Sequence, residues 1–132
     1  MKKIKFKTYK NNTGLLIPFS FSKDIPFKPK RIFIIYGKKN SIRGDHAHLR
    51  CSQFLVPIFG SMTVNYENKK GKYSKFLSFA KKDYLLINPN TWCKIKFNTS
   101  NSKLMVFCDR EYEFKDYIEK YNDFKQIIKN KL

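Results

Sequence analysis

Both histidines of this 132-residue chain lie two positions apart, in the segment Arg43-Gly44-Asp45-His46-Ala47-His48. In an extended strand, successive side chains point to opposite faces, so His46 and His48 would share one face and Ala47 would lie on the other. Imidazole titrates near neutral pH, and two imidazoles beside an arginine suit proton transfer on an anionic ligand or the binding of a metal ion. The same spacing fits a half-buried strand whose histidines only satisfy local hydrogen bonds, so the segment alone leaves both interpretations open.

The composition is typical of one globular domain. With 132 residues, of which 42% are hydrophobic and 17% aromatic, the chain can bury a core, and we expect a single domain over residues 1–132. No run of about 18 apolar residues would span a membrane, and lysines interrupt residues 1–5 before a secretory apolar segment. We therefore expect a cytoplasmic protein without membrane contact. The three cysteines have no zinc-finger spacing, which favours reduced thiols over a disulfide framework.

The formal net charge of +18 raises the question of nucleic-acid binding. Only four of the 28 basic residues are arginine, and the lysines are spread along the whole chain. Proteins that recognise nucleic acids usually gather basic residues on one surface and use the planar fork of arginine. We therefore expect no nucleic-acid partner, although a dispersed positive field attracts an anionic small molecule such as a sugar nucleotide.

Most of the chain has the pattern of short strands. Ten runs rich in β-branched and aromatic residues alternate with turn signals, which is typical of a sandwich or barrel. They cover residues 4–8, 15–19, 31–36, 46–49, 53–59, 62–66, 73–79, 84–87, 93–97 and 104–108. Phe59-Gly60-Ser61 and Asn68-Lys69-Lys70-Gly71 are typical of hairpin turns.

The C-terminal segment changes period. Between residues 113 and 130 apolar residues recur at intervals of three and four, which predicts one amphipathic helix of about those bounds. Asp116, near its start, would interact favourably with the helix dipole. The helix would cover an open face of the barrel or pack at a subunit interface.

The spacing around the two histidines resembles the first motif of the cupins, in which a His-x-His strand precedes a Glu or Gln and a glycine, here Gln53 and Gly60. The segment 86–93 resembles the second motif, where cupins commonly have a final metal-binding histidine. No histidine remains for that position, and Gln53 replaces the usual acidic ligand. A thiolate from Cys93, two imidazoles and an amide form an unusual ligand set, so the motif favours a metal-free cupin.

The whole chain resembles the dTDP-4-keto-6-deoxyhexose 3,4-ketoisomerases, the WxcM-like sugar-nucleotide cupins. The resemblance covers about residues 14–128. It rests on the segments Gly14-Leu15-Leu16-Ile17-Pro18-Phe19, Ile25-Pro26-Phe27, Lys30-Arg31-Ile32-Phe33-Ile34-Ile35-Tyr36-Gly37, Arg43-Gly44-Asp45-His46-Ala47-His48, Pro89-Asn90-Thr91-Trp92 and Asp116-Tyr117-Ile118-Glu119-Lys120-Tyr121, with Phe124 following.

The resemblance implies an all-β cupin jelly roll with a C-terminal α-helix, usually a homodimer with an exchanged N-terminal strand. Its substrate would be a dTDP-linked sugar, such as dTDP-4-keto-6-deoxyglucose, whose ketone moves from C4 to C3. The product would supply a sugar aminotransferase for lipopolysaccharide or other glycan assembly. Such a reaction needs no redox cofactor.

The resemblance also implies roles for seven side chains. His48 would be the main acid and base, and His46 would shuttle protons or polarise the sugar oxygens. Arg43 stands where related cupins carry an arginine for the pyrophosphate. Tyr36 and Gln53 would contact the substrate. Trp92 and Cys93 would line its pocket, while simple packing remains an open interpretation for several of these residues.

Cys93 departs from the family pattern, because relatives often have histidine or arginine directly after the tryptophan. A smaller thiol would change the shape of the pocket and the face of C4 that receives the proton, so gluco and galacto products both remain open. Two other functions also remain open. One is a related dTDP-sugar epimerase with a tyrosine acid, and the other is a noncatalytic cupin that binds an anionic partner.

Overall fold

The computed structural model describes residues 6–21 and 23–130. Within this part of the chain it has eleven strands, a 3₁₀ turn and one α-helix. The strands are β1 Tyr9–Asn11, β2 Gly14–Leu16, β3 Arg31–Gly37, β4 Ile42–His48, β5 Gln53–Phe59, β6 Ser61–Asn68, β7 Gly71–Ser78, β8 Leu85–Ile87, β9 Trp92–Phe97, β10 Ser102–Cys108 and β11 Tyr117–Ile118. The 3₁₀ turn is Phe114–Asp116 and the helix α1 is Tyr121–Asn130.

Two antiparallel sheets form the body of the protein. One has the strand order β3-β10-β5-β8 and the other β11-β4-β9-β6-β7, while β1 and β2 form a separate hairpin. Their inner faces share one apolar core, to which Leu55 and Val106 contribute from the first sheet and Val64 and Ile95 from the second. The prediction of an all-β sandwich is confirmed, because alternating apolar side chains give each sheet one face to bury.

The turn at Gly60 differs from the prediction. Strands β5 and β6 belong to different sheets, so Phe59-Gly60-Ser61 carries the chain across the sandwich and does not close a hairpin. A hairpin turn and a crossing between sheets both require the chain to reverse sharply, which is why the sequence signal is the same. Gly60 permits the reversal with a left-handed φ of 73°. A Cβ atom at Gly60 would clash with Oγ1 of Thr99. The other predicted hairpin is confirmed, since β6 and β7 pair from Ser61 opposite Ser78 to Asn68 opposite Gly71.

The first strands of the chain differ from those predicted, and β1 at Tyr9–Asn11 was not predicted. Part of the predicted strand 4–8 lies outside the described residues, and residues 6–8 belong to no strand. Strand β2 ends at Leu16, two residues before Pro18, which has no N–H group to donate to a ladder. Strand β4 begins at Ile42, four residues earlier than predicted.

The prediction of one helix over residues 113–130 is wrong for residues 113–120. Tyr117 and Ile118 pair with His48 and Ala47 as strand β11, and α1 begins only at Tyr121. Because Ala47 is small, Ile118 and the buried Phe124 pack directly against it. Asp116 is the buried last residue of the 3₁₀ turn and does not lie near the start of α1. Helix α1 has ten residues, and no helix in the described part of the chain is long and apolar enough to cross a membrane.

Candidate active site

A β-bulge in β4 places Arg43 and His46 on the same face of the sheet. Regular alternation would put residues three positions apart on opposite faces. Arg43 pairs with Ile95 and His46 with Cys93, and the register shifts by one residue between Gly44 and His46. Since Ile95 and Cys93 belong to the inner core, Arg43 and His46 both face inward.

The bulge depends on Gly44, Asp45 and Trp92. Gly44 and Asp45 have left-handed φ values of 82° and 62°, and a Cβ atom on Gly44 would lie 3.0 Å from the carbonyl oxygen of Cys93. The indole Nε1–H of Trp92 donates a hydrogen bond to Oδ1 of Asp45 at 3.0 Å. The Trp92 ring packs against Phe124 of α1, with centroids 5.6 Å apart, so Trp92 supports the bulge from outside the sandwich.

A cavity of about 550 Å³ lies between the inner faces of the two sheets. Five of the seven predicted site residues line it, namely Tyr36, Arg43, His46, Gln53 and Cys93. Tyr36 is 74% exposed, which places it at the rim. His48 and Trp92 are not among the lining residues, and substrate binding by Trp92 stays a prediction. Neighbouring residues of one strand face opposite ways, and here Cys93 takes the inner face.

His48 lies beside His46, with the two ring centroids 5.1 Å apart, and is only 6% exposed. Its Nδ1 atom is 3.1 Å from Oδ2 of Asp116, and its buried Nε2 atom has no hydrogen-bond partner in the described part of the chain. A carboxylate only accepts hydrogen bonds, so in neutral His48 the proton is on Nδ1 and Nε2 has a free lone pair. The backbone N–H groups of Arg50 and Cys51 also donate to Asp116 and fix its position.

Burial lowers the pKa of both histidines. For His48, desolvation is the largest cause and the charge of His46 adds to it, and together they outweigh the hydrogen bond that His48 donates to Asp116, which raises the pKa. For His46, desolvation outweighs the hydrogen bond with the backbone of Gly44. Both imidazoles are therefore neutral at pH 7, and His48 is a proton acceptor oriented by a carboxylate.

Tyr117 covers both imidazoles. Its ring centroid lies 4.3 Å from that of His48 and 5.0 Å from that of His46. The pairing of Tyr117 with His48 in β11 and β4 produces this contact. The site thus consists of two neutral imidazoles, a phenol and a carboxylate beside a cavity that opens towards Arg43 and Tyr36.

Comparison with known proteins gives the family. Residues 1–129 match the family model described as "FdtA: WxcM-like, C-terminal". The chain belongs to this family. The resemblance seen in the sequence is therefore confirmed.

Members with names and structures agree with this assignment. A TDP-4-oxo-6-deoxy-alpha-D-glucose-3,4-oxoisomerase from Aneurinibacillus thermoaerophilus is 31% identical over 129 residues, which are 96% of this chain and 91% of the relative. A 3,4-ketoisomerase from Helicobacter canadensis superposes with a TM-score of 0.87 at 29% identity, over 96% of each chain. A histidine-to-asparagine mutant of the 3,4-ketoisomerase QdtA from Thermoanaerobacterium thermosaccharolyticum, in complex with TDP-4-keto-6-deoxyglucose, gives a TM-score of 0.88 at 27% identity. That match covers 98% of this chain and 94% of QdtA.

Three residues of this WxcM-like site were missed by sequence reasoning. Asp116 and Tyr117 were assigned to a helix, although both belong to a segment that carries the family resemblance. Arg31 also lines the cavity, on the inner face that it shares with Phe33 and Ile35. The sequence did contain a signal for Arg31. Side chains of a strand alternate between its two faces, so Arg31 shares a face with Phe33 and Ile35, which face the other sheet.

The donor groups of this family member do not fit the metal site of other cupins. Burial raises the pKa of Cys93 to about 12, so its thiol stays protonated and is a poor ligand. Ligand atoms of His48, Cys51 and Asp116 lie within 4.8 Å of one another, but both oxygens of Asp116 already accept hydrogen bonds. The pKa of Cys51 is raised, first by its hydrogen bond with Cys108 and then by burial. This arrangement suits hydrogen bonding and proton transfer.

Proposed function

We propose that the protein is a 3,4-ketoisomerase of a dTDP-linked 4-keto-6-deoxyhexose, and that it converts dTDP-4-keto-6-deoxyglucose to a dTDP-3-keto-6-deoxyhexose. The observation that carries the proposal is the neutral His48. Its Nε2 lone pair has no partner in the described part of the chain, and its ring lies beside that of His46, which lines the cavity. Membership of the WxcM-like family and the names of its relatives support the substrate class.

The reaction moves two protons and no other atoms. His48 removes the proton from C3, the C–H bonding pair forms a C3=C4 double bond, and negative charge develops on O4. The proton of the O3 hydroxyl then passes to O4, with His46 as the relay. Protonated His48 returns its proton to C4 while the C3=O bond forms. The product is an isomer of the substrate, so no redox cofactor is consumed.

Asp116 orients His48 and stabilises its positive form. Oδ2 of Asp116 accepts a hydrogen bond from the Nδ1–H group of His48, with 3.1 Å between Oδ2 and Nδ1. This contact directs the lone pair of Nε2 away from the carboxylate. When His48 takes the C3 proton, the negative charge of Asp116 stabilises the imidazolium. Tyr117, packed on both imidazoles, and Gln53, in the cavity lining, shield the reacting centre from water.

Arg43 and Tyr36 bind the nucleotide end of the substrate. Arg43 is exposed and lines the cavity, and its planar fork matches a pyrophosphate oxygen pair. Tyr36 lies at the rim, where its phenol reaches groups outside the cavity. Cys93 lies opposite His46 in the sheet and leaves more room than the histidine or arginine of relatives, so it influences whether the product has the gluco or the galacto configuration.

The partners follow from the chemistry and from the N-terminal hairpin. Strands β1 and β2 pair with neither main sheet and expose Tyr9 and Leu16, which leaves them available to a second copy in a homodimer. Light scattering tests this, and a monomeric mass would contradict it. The 3-keto group is the electrophile that a sugar aminotransferase requires, and transamination of the product in a coupled assay tests that connection.

An NMR time course tests the function. Wild-type protein in deuterated buffer without added metal is expected to convert dTDP-4-keto-6-deoxyglucose to a 3-keto product. His48→Asn keeps a similar shape without the base, so we expect its turnover to fall about 10³-fold. The C4 proton coupling of product formed in ordinary water gives the configuration. No product from folded wild-type protein, with or without added metals, would contradict the ketoisomerase assignment.

A related epimerase is the second candidate, because it would pair the histidine base with a tyrosine acid and Tyr117 contacts both histidines. The same spectra separate the two functions. Deuterium at C5 with the ketone still at C4 favours the epimerase. A ketone at C3 without deuterium at C5 favours the ketoisomerase.

A further inference from the structure

Arg31 brings a positive charge to the inner wall of the cavity. It shares the inward face of β3 with Phe33. Its guanidinium carbon lies 4.9 Å from the ring centroid of Phe33 and 5.2 Å from that of Tyr112. Contacts with two aromatic rings restrict the guanidinium without using its N–H donors.

The charge of Arg31 has no carboxylate partner in residues 6–21 and 23–130. The two ion pairs of this part of the chain are His48 with Asp116 and Lys125 with Glu67. No side-chain hydrogen bond of Arg31 occurs there either. A half-buried guanidinium is costly without an anion or hydrogen-bond acceptors, so the surroundings of Arg31 suit an anionic group on a ligand.

Arg31 lies at the same end of the cavity as the candidate base. It pairs with Cys108 in β10, and Cys108 pairs with Gln53 in β5. The pKa of His48, which burial lowers most, is lowered further by the charge of Arg31. Arg31 and Tyr36 are five residues apart on β3, which separates them by about 16 Å at a strand rise of about 3.3 Å per residue. With the nucleotide end at Tyr36, as in the proposed function, the part of the substrate nearest Arg31 is the sugar.

We propose that Arg31 is a further catalytic residue, which donates hydrogen bonds to the enediolate oxygen that forms when the C3 proton leaves. This inference rests on the proposed ketoisomerase function. The C3–H pair becomes the C3=C4 double bond, the charge on O4 is stabilised by the guanidinium, and the same donors serve O3 after the hydroxyl proton has moved to O4. Arg31 keeps all its protons throughout, because guanidinium is too weak an acid to release one.

The test compares Arg31→Met, Arg31→Gln and Arg31→Lys with the control Arg110→Met, which removes an exposed arginine that does not line the cavity. We expect both neutral variants to lose about 10²–10³-fold in kcat, as for other losses of an oxyanion donor. Arg31→Lys keeps the positive charge but loses the planar pair of N–H donors. Its kcat should lie between that of the neutral variants and that of the wild type. Arg110→Met should keep wild-type kcat.

Two further readouts separate catalysis from a structural or nucleotide-binding role. Calorimetry with TDP should give a Kd for the neutral variants within about twofold of wild type, since Arg31 does not hold the nucleotide. Loss of the cation should raise the pKa of His48 and move the acidic limb of kcat/KM to higher pH. Circular dichroism shows which variants are folded. If Arg31→Met does not fold, Arg31→Gln is the neutral variant on which the test rests.

Each outcome decides one of two claims. Folded neutral variants with kcat within about twofold of wild type would overturn the inference, as would a large loss of TDP affinity with unchanged kcat, which would make Arg31 a nucleotide-binding residue. Both results leave the ketoisomerase function intact. Wild-type protein that fails to make the 3-keto product would overturn the function itself and the role of Arg31 with it.

Discussion

Two carboxylates are buried around the five-stranded sheet, and their surroundings differ. Asp116 is 7% exposed and Glu67 is 8% exposed. Glu67 accepts a hydrogen bond from the hydroxyl of Tyr121 at 2.6 Å and another from Nζ of Lys125 at 2.9 Å, which attach α1 to β6. Asp116 holds His48, whose second nitrogen has no partner in the part of the chain described.

The difference separates a structural network from a reactive one. Burial acts to raise the pKa of Glu67, but the hydrogen bonds from Tyr121 and Lys125 outweigh it and the pKa is lowered, so Glu67 is ionised and its charge is satisfied. Around Asp116 the chain of hydrogen bonds ends at the free lone pair of His48, whose ring lies beside the cavity-lining His46. A buried polar atom without a partner suggests a ligand, so the Asp116 network is the one that we propose acts on substrate.

Replacing Asp116 is the strongest way to break this comparison. Asp116→Asn retains an acceptor for the backbone N–H group of Arg50. An NH₂ group in place of Oδ2 can donate to Nδ1 and move the proton of His48 to Nε2, while it removes the acceptor of the Cys51 N–H group. We expect kcat to fall about 10²-fold, measured as the rate of 3-keto product formation. A folded variant with kcat within about twofold of wild type would show that the pair does not orient the base.

Trp92 connects the two regions and should have an intermediate effect. Its ring packs on α1, while its N–H donates to Asp45 in the bulge that orients His46. Trp92→Phe keeps an aromatic ring but loses this hydrogen bond, and a small displacement of His46 should reduce kcat about 10-fold. Steady-state kinetics measure the change, with Tyr73→Phe as an exposed aromatic control. Unchanged kcat would mean that Gly44 and the strand pairing suffice to hold the bulge.

Glu67 should have the smallest effect on turnover. Glu67→Gln weakens the attachment of α1, so we expect the free energy of unfolding to fall by about 1 kcal/mol. Chemical denaturation measures this fall, and kcat should stay within about twofold of wild type. A loss of kcat as large as that of Asp116→Asn would erase the distinction between the two networks.

Local patterns in the sequence predicted most of the sandwich and failed where distant contacts decide. The alternation of β3 and the turn Asn68-Lys69-Lys70-Gly71 are local signals, and both agree with the structure. Tyr117 and Ile118 have helical spacing with later apolar residues, but they pair with a strand about 70 positions earlier. The hydrophobic periodicity of residues 113–130 carries no information about a pairing strand so far away in the sequence.

The site shows the same limit. The two-residue spacing correctly placed His46 and His48 together, whereas the inward direction of Arg43 depends on a bulge that breaks regular alternation. Alternation alone implies that Trp92 and Cys93 do not both line the pocket, and the structure places Cys93 there. The contact of Asp116 with His48 spans 68 positions and has no local signal apart from the family resemblance.

The pH dependence of kcat/KM tests the neutral His48 base most directly. Burial lowers the pKa of His48 below its ordinary value of 6.5, so the base stays unprotonated until the pH falls below that value. We expect the acidic limb of kcat/KM to have its midpoint below pH 6.5. A midpoint above pH 6.5 would show that His48 is a protonated partner of Asp116 in the free enzyme, and would contradict the neutral base.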